Sequence, residues 1–237
     1  MTYELSGLTI GYRKGHNTHV VAKGINATID SGRLVCLVGR NGVGKSTLLR
    51  TLAFFQPPLE GEIRLDGRSL NGYTQQALAE TVSVVLTERG SLDNLTIDDV
   101  VSMGRTPYTN FFGTLREEDR RIVADAIEAV GLTPLTHRQM MCISDGERQK
   151  VMIAKALAQQ TPILLLDEPT AFLDYPSKGA VLTLLHRLAH EHGKLVLLST
   201  HDLDVAIRIA DDIWLMDEHG LTPHATATDL LALDFAG

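Results

Sequence analysis

Several residue classes are scarce in this chain, and each scarcity removes a class of function. Two cysteines occur in 237 residues, Cys36 and Cys142. Their spacing fits neither a metal cluster nor a Cys-x-x-Cys redox pair, which points to a reducing compartment. No apolar run approaches the ~18 residues needed to span a bilayer. The opening residues Met1-Thr2-Tyr3-Glu4-Leu5 lack the basic start and apolar stretch of a signal peptide. Positive charge is also in deficit: 22 Lys and Arg stand against 29 Asp and Glu, a formal charge of −7. That balance argues against a duplex nucleic acid as the main partner. Internal repeats and low-complexity linkers are missing too. The expectation is a soluble, cytoplasmic protein that another chain must bring to any membrane it serves.

What is present is a core. Apolar residues make up 44% of the chain, enough for one large α/β domain or a core with an inserted subdomain. Residues 3–38 read as strands: Leu8, Ile10 and Tyr12 alternate, as do Ile25, Ala27 and Ile29. Residues 62–67 and 82–86 are further short strands. Residues 117–130 carry Ile122, Val123, Ala126, Ile127 and Val130 on one helical face and stop at Gly131. A second helix is expected over 147–159. Strand and helix then alternate: 163–166, 178–192, 195–199, 203–210, 213–216. Such alternation implies parallel strands with crossover helices.

Two motifs bring chemistry. Gly39-Arg40-Asn41-Gly42-Val43-Gly44-Lys45-Ser46 has the form G-x-x-x-x-G-K-[ST]. An apolar strand precedes it, and Thr47-Leu48-Leu49 opens a helix after it. The glycines let backbone N–H groups turn inward around phosphate oxygens, with the positive end of the helix behind them. Lys45 reaches the β- and γ-phosphates, and the Ser46 hydroxyl is placed for Mg²⁺. The second motif, Ile163-Leu164-Leu165-Leu166-Asp167-Glu168, ends a buried strand in two acids, 122 residues after Lys45. The carboxyl end of such a strand opens onto the ligand crevice. Asp167 suits Mg²⁺, and Glu168 suits orientation of an attacking water. His201 ends another buried strand and is a candidate contact for the γ-phosphate.

The segment Ile143-Ser144-Asp145-Gly146-Glu147-Arg148-Gln149 lies before that acidic strand. On its own it is a capping box, Ser144 answered by Glu147. With the two motifs above, it resembles the signature of ATP-binding cassette ATPases, and the resemblance spans residues 3 to 230. It implies a P-loop core with a parallel sheet and flanking helices, an N-terminal antiparallel β subdomain and an inserted helical subdomain. The core would be 1–94 with 161–237, and the insert 95–160. It implies a homodimer in which Ser144 and Gly146 of one copy face the ATP held by the other. Tyr12 resembles the aromatic that stacks on adenine, His201 the γ-phosphate histidine, and Ala171-Phe172-Leu173-Asp174 the loop that signals across the dimer.

Two departures stand out. By register Thr87, followed by Glu88, takes the place of the family's metal-binding glutamine. Asp145 replaces a signature glycine, and its carboxylate must point away from phosphate. The stretch Gly104-Arg105-Thr106-Pro107-Tyr108 and the acidic run Glu117-Glu118-Asp119 look like importers of siderophore, haem and cobalamin type. The aromatic loop Tyr108 to Gly113 suits either permease contact or internal packing. His186, His190 and His192 read as a solvated helix face, with no structural metal.

The resemblance therefore implies an ATPase subunit that uses ATP and Mg²⁺. It would work on the cytoplasmic face with membrane permease subunits and, indirectly, a substrate-binding protein. A soluble cassette ATPase of protein assembly, as in iron–sulfur cluster formation, is the alternative reading.

Overall fold

The structure is a computed structural model that describes residues 1–15, 17–86, 92–110 and 113–231. In chain order it runs β1 (Thr2–Lys14), β2 (Asn17–Asp30), β3 (Leu34–Val38), α1 (Lys45–Leu52), β4 (Glu60–Leu65), β5 (Arg68–Ser69), α2 (Gln75–Thr81) and β6 (Val82–Val85). There follow α3 (Ile97–Ser102), α4 (Glu117–Ala129), α5 (Asp145–Ala158), β7 (Ile163–Asp167) and α6 (Tyr175–His190). The chain closes with β8 (Leu195–Thr200), α7 (Leu203–Ile209), β9 (Asp212–Asp217), β10 (Gly220–Thr222) and α8 (Ala227–Leu231).

Two sheets result. One is antiparallel, with strand order β2-β1-β4-β5; the other has six strands in the order β10-β9-β3-β8-β7-β6. In the larger sheet only the β9–β10 pair is antiparallel. The reason β3, β7 and β8 are apolar at almost every position is that both faces of this sheet are covered. Cys36, Leu164, Leu166, Val196 and Leu198 face one core, together with residues of α3 to α6. The alternate residues Val35, Leu37, Ile163, Leu165 and Leu197 face the other, together with β1, α1 and Trp214. Neither cysteine is in a disulfide, and burial pushes the Cys36 thiol up to about 12, so it stays a neutral apolar packer.

Helix ends follow the sequence rules. α4 begins with Glu117, Glu118 and Asp119 against its positive end and stops before Gly131. In β1 the expected alternation of Leu8, Ile10 and Tyr12 breaks at its last member. Leu8 and Ile10 are fully buried, but the β1–β2 register shifts between Ile10 and Gly11, and Tyr12 is left half-exposed. A register shift moves every later side chain off its expected face.

The topology also sets the crevice. β8 lies between β3 and β7, with Val38 opposite Thr200 and Ser199 opposite Asp167. The carboxyl ends of the three strands therefore meet at one edge, where ligands of open α/β sheets bind.

Candidate functional site

At that edge the loop from β3 to α1 makes a cradle. Gly44 holds φ +117, and a Cβ there would lie 2.2 Å from Val21 Cγ1, so only glycine fits. No side chain caps α1 and no acid sits in its first turn. Its first N–H groups are left to an incoming anion. Lys45 is 5% exposed. It donates to the carbonyls of Gly39 at 2.8 Å and Arg40 at 3.1 Å. Its ammonium is 3.9 Å from Glu168 Oε1. Burial lowers its pKa, opposed by the charges of Glu168 and Asp167.

Asp167 and Glu168 close the cradle from β7. Asp167 is buried, and its Oδ1 accepts from Ser199 Oγ at 2.7 Å. The same Ser199 Oγ accepts from the Glu168 N–H at 3.0 Å. Glu168 stands at φ 48, a left-handed conformation that non-glycine residues seldom adopt. Its carboxylate lies 3.0–3.2 Å from His201 Nδ1. A cavity of about 340 Å³ is lined by Asn41, Gly42, Gly44, Lys45, Ser46, Thr47, Asp167 and Glu168. Arg40 is exposed beside it, and Val43 packs into the core beneath.

The remaining expected residues fall elsewhere. Ser144 caps α5 with a reciprocal box: it accepts from the Glu147 N–H at 3.2 Å, and its own N–H and hydroxyl reach Glu147 Oε2 at 2.8 Å. Ser144 and Gly146 line a different cavity, of about 540 Å³, with Phe172 and Asp174. The fold thus gathers Lys45, Ser46, Asp167 and Glu168 in one place and keeps Ser144 and Gly146 out of it. Tyr12 stacks on His19 in the β1–β2 hairpin. Thr87 and Glu88 lie outside the described residues.

Sequence reasoning missed Ser199, the hydroxyl that ties the two acids together. Its signal was a polar residue near the end of an otherwise apolar strand, at a position the fold buries completely. Arg105 also carries more than a family resemblance. Its Nε donates to Asp119 at 2.9 Å, and its Nη1 donates to the Ala158 carbonyl at 2.8 Å and Gln160 Oε1 at 3.2 Å. Tyr108 packs inward, its ring 4.1 Å from the guanidinium and its hydroxyl donating to the Gln159 carbonyl. The two phenylalanines of that loop, Phe111 and Phe112, are outside the described residues. Gly104 is required by close approach: a Cβ would lie 2.3 Å from the Lys155 carbonyl. The ring nitrogens of His190 meet the His186 carbonyl at 2.9 Å and Asp211 at 3.0 Å.

Comparison with known proteins agrees with this geometry. A family model described as ABC transporter matches residues 22–171. An uncharacterized ABC transporter ATP-binding protein of Methanocaldococcus jannaschii is 43% identical, over 86% of this chain and 71% of its own. The iron(3+)-hydroxamate import ATP-binding protein of Bacillus subtilis is 34% identical, over 93% of this chain and 82% of its own. A dimeric bacterial ABC transporter cassette superposes with a TM-score of 0.82 at 26% identity, over 94% of this chain and 99% of that one.

Proposed function

The chain belongs to the ABC transporter family as an ATP-binding cassette, and on that premise we propose that it is the ATP-hydrolysing subunit of an importer for an iron chelate. The family assignment carries ATP hydrolysis coupled to transport, with a second cassette and membrane permease subunits as partners. The solute class, an iron siderophore rather than haem or cobalamin, is supported by the import function named for the B. subtilis relative. The soluble assembly-ATPase alternative finds no such support. No helix among the described residues is long and apolar enough to cross a membrane. We place the chain on the cytoplasmic face, held there by its permease.

One observation carries the mechanism. Phosphate loop and paired acids share one cavity, while the signature residues line another. Each copy therefore offers two half-sites, and a head-to-tail dimer completes them. In this reading the N–H groups of residues 39–47 cradle the phosphates. Lys45 exchanges its carbonyl partners for phosphate oxygens. We assign Mg²⁺ to the oxygen donors of Ser46 and Asp167, which line this cavity, and keep Thr87, outside the described residues, as a further expected ligand. The ion would neutralise phosphate charge. Glu168 orients and deprotonates the attacking water, and His201 holds that carboxylate and contacts the γ-phosphate. Ser144 and Gly146 bring the N-terminus of α5 to the partner's γ-phosphate, and Tyr12 stacks on adenine. Residues 1–94 with 161–237 form the catalytic core, and 95–160 the helical insert.

The test is association. Glu168→Gln should elute as a dimer with MgATP and as a monomer without it. Detergent extraction of cells expressing this variant should recover a multi-span permease on the tagged chain. A monomer at saturating ATP, or recovery of only a soluble complex, would overturn the assignment.

A further inference from the structure

We propose that His19 is a positioning residue for the nucleotide base: it braces Tyr12, so that the phenol ring meets adenine as a pre-set stacking surface. The inference rests on the reading of Tyr12 as the base-stacking residue. Tyr12 and His19 are directly opposed on β1 and β2. Their ring centroids are 4.8 Å apart and their planes 31° apart, so the imidazole leans against the phenol rather than meeting it edge-on. Tyr12 is 50% exposed and belongs to neither apolar core. Among the described residues, His19 is its ring partner.

The hairpin that carries the pair packs closely on itself and on the phosphate loop. β1 and β2 approach so closely that a Cβ on Gly11 would lie 2.1 Å from the His19 carbonyl. Two residues along β2 from His19, at the register shift, Val21 touches the phosphate loop: its Cγ1 occupies the space a Cβ on Gly44 would need. The two rings therefore sit a short step along the hairpin from the phosphate cradle. An exposed tyrosine loses rotamer freedom when it stacks on a base, and a neighbour that already limits that freedom removes part of the loss. Histidine does this without burying the ring: it lies against one side of Tyr12 and leaves a planar heterocycle access to the other.

Calorimetric titration of the full chain separates base recognition from phosphate recognition. The probes are a non-hydrolysable ATP analogue with Mg²⁺ and inorganic tripolyphosphate. His19→Ala should weaken binding of the analogue about 3–10-fold, the worth of one aromatic pair, and leave tripolyphosphate unchanged. His19→Phe should restore it. In a Tyr12→Ala background, His19→Ala should cost nothing more, because both act through one ring. Equal losses for both probes, or losses that add to that of Tyr12→Ala, would overturn the proposal. So would a lowered melting temperature with unchanged affinity, which would leave the pair a brace for the hairpin alone. If Tyr12→Ala binds the analogue normally while Lys45→Ala does not, the reading of Tyr12 itself fails and takes the proposal with it.

Discussion

Two buried cations in this molecule sit near carboxylates, and they are built in opposite ways. Arg105 and Lys45 are each 5% exposed. Arg105 is closed: its Nε and Nη1 hydrogens go to Asp119, the Ala158 carbonyl and Gln160, and Tyr108 covers its face. Asp119 in turn accepts from the Arg116 N–H at 2.9 Å. That N–H and Arg105 together hold its carboxyl below its usual pKa, against the effect of burial. Lys45 is open. It borrows two loop carbonyls, and its nearest carboxylate among the described residues, Glu168, stands at 3.9 Å, too far for a hydrogen bond. A closed pair spends its hydrogen bonds on holding α5 to the segments around it. An open one keeps its charge for a ligand. The same buried charge is a structural tie in one place and a binding device in the other, and partner geometry tells them apart.

The contrast breaks most visibly at the open site. Glu168→Gln keeps shape and removes the proposed base, so ATP turnover should fall about 10²–10⁴-fold with binding retained. Steady-state phosphate release measures it; wild-type turnover would sink the assignment. Lys45→Ala should cost ~2–5 kcal/mol of MgATP affinity by calorimetry. It should leave the melting temperature nearly unchanged, because the lysine's present partners are carbonyls of its own loop.

The closed site should respond in reverse. Arg105→Ala leaves Asp119 buried without its cation and should cost about 3–5 kcal/mol of stability. Denaturant melts would show it, while nucleotide affinity of the folded fraction holds. Arg105→Met combined with Asp119→Leu should recover much of the loss, since paired apolar replacement leaves no orphan charge. If Arg105→Ala instead weakens ATP binding without lowering stability, the distinction between closed and open pairs is wrong.

Ser199 lies between the two cases, a buried tie between the two acids of the proposed catalytic site. Ser199→Ala removes the hydrogen bond to Asp167 Oδ1 and the acceptor of the Glu168 N–H, at about 1–3 kcal/mol of stability. It should also slow turnover, because Glu168 then loses the contact that helps hold its left-handed backbone. A variant with normal turnover and lowered stability would make Ser199 structural only.

These cases show what the sequence discloses. The phosphate loop was legible because its whole geometry lies in eight consecutive residues. β3, β7 and β8 were legible because burial on both faces demands an unbroken apolar run. Ser199 was not, since its link to Asp167 crosses 32 residues and exists only through the β7–β8 register. Arg105 read as a mark of a family branch; its physical role needs Asp119 and the end of α5, 14 and 53 residues away. The half-exposed Tyr12 follows from a register shift that no alternation rule contains. The short α2 buries no side chain and so left no pattern to find.

The smallest expected effect completes the comparison, because it concerns a pair that is closed but wet. Both ring nitrogens of His190 face acceptors, the His186 carbonyl and Asp211. Only the protonated ring can donate to both at once, so this arrangement favours the cation. The Asp211 hydrogen bond, and then that of the His186 carbonyl, raise its pKa above 6.5. The stabilisation is accordingly full below pH 6.5 and is lost as pH rises through the raised folded-state value. Asp211 sets the other limit. Burial alone would raise its carboxyl, but the Leu34 N–H and His190 outweigh burial and lower it, so its contribution is lost on acidification below its ordinary 3.8. Because His190 is about one-third exposed, solvent screens the pair, and its closure cannot match that of Arg105. His190→Gln should lower the melting temperature by roughly 1–3 °C at pH 6, the scale of a surface ion pair in a chain of this size. At pH 9 the difference from wild type should nearly vanish. A gap that widens with rising pH would mean that the neutral imidazole is the stabilising form, and hydrogen-bond closure would then be no guide to charge.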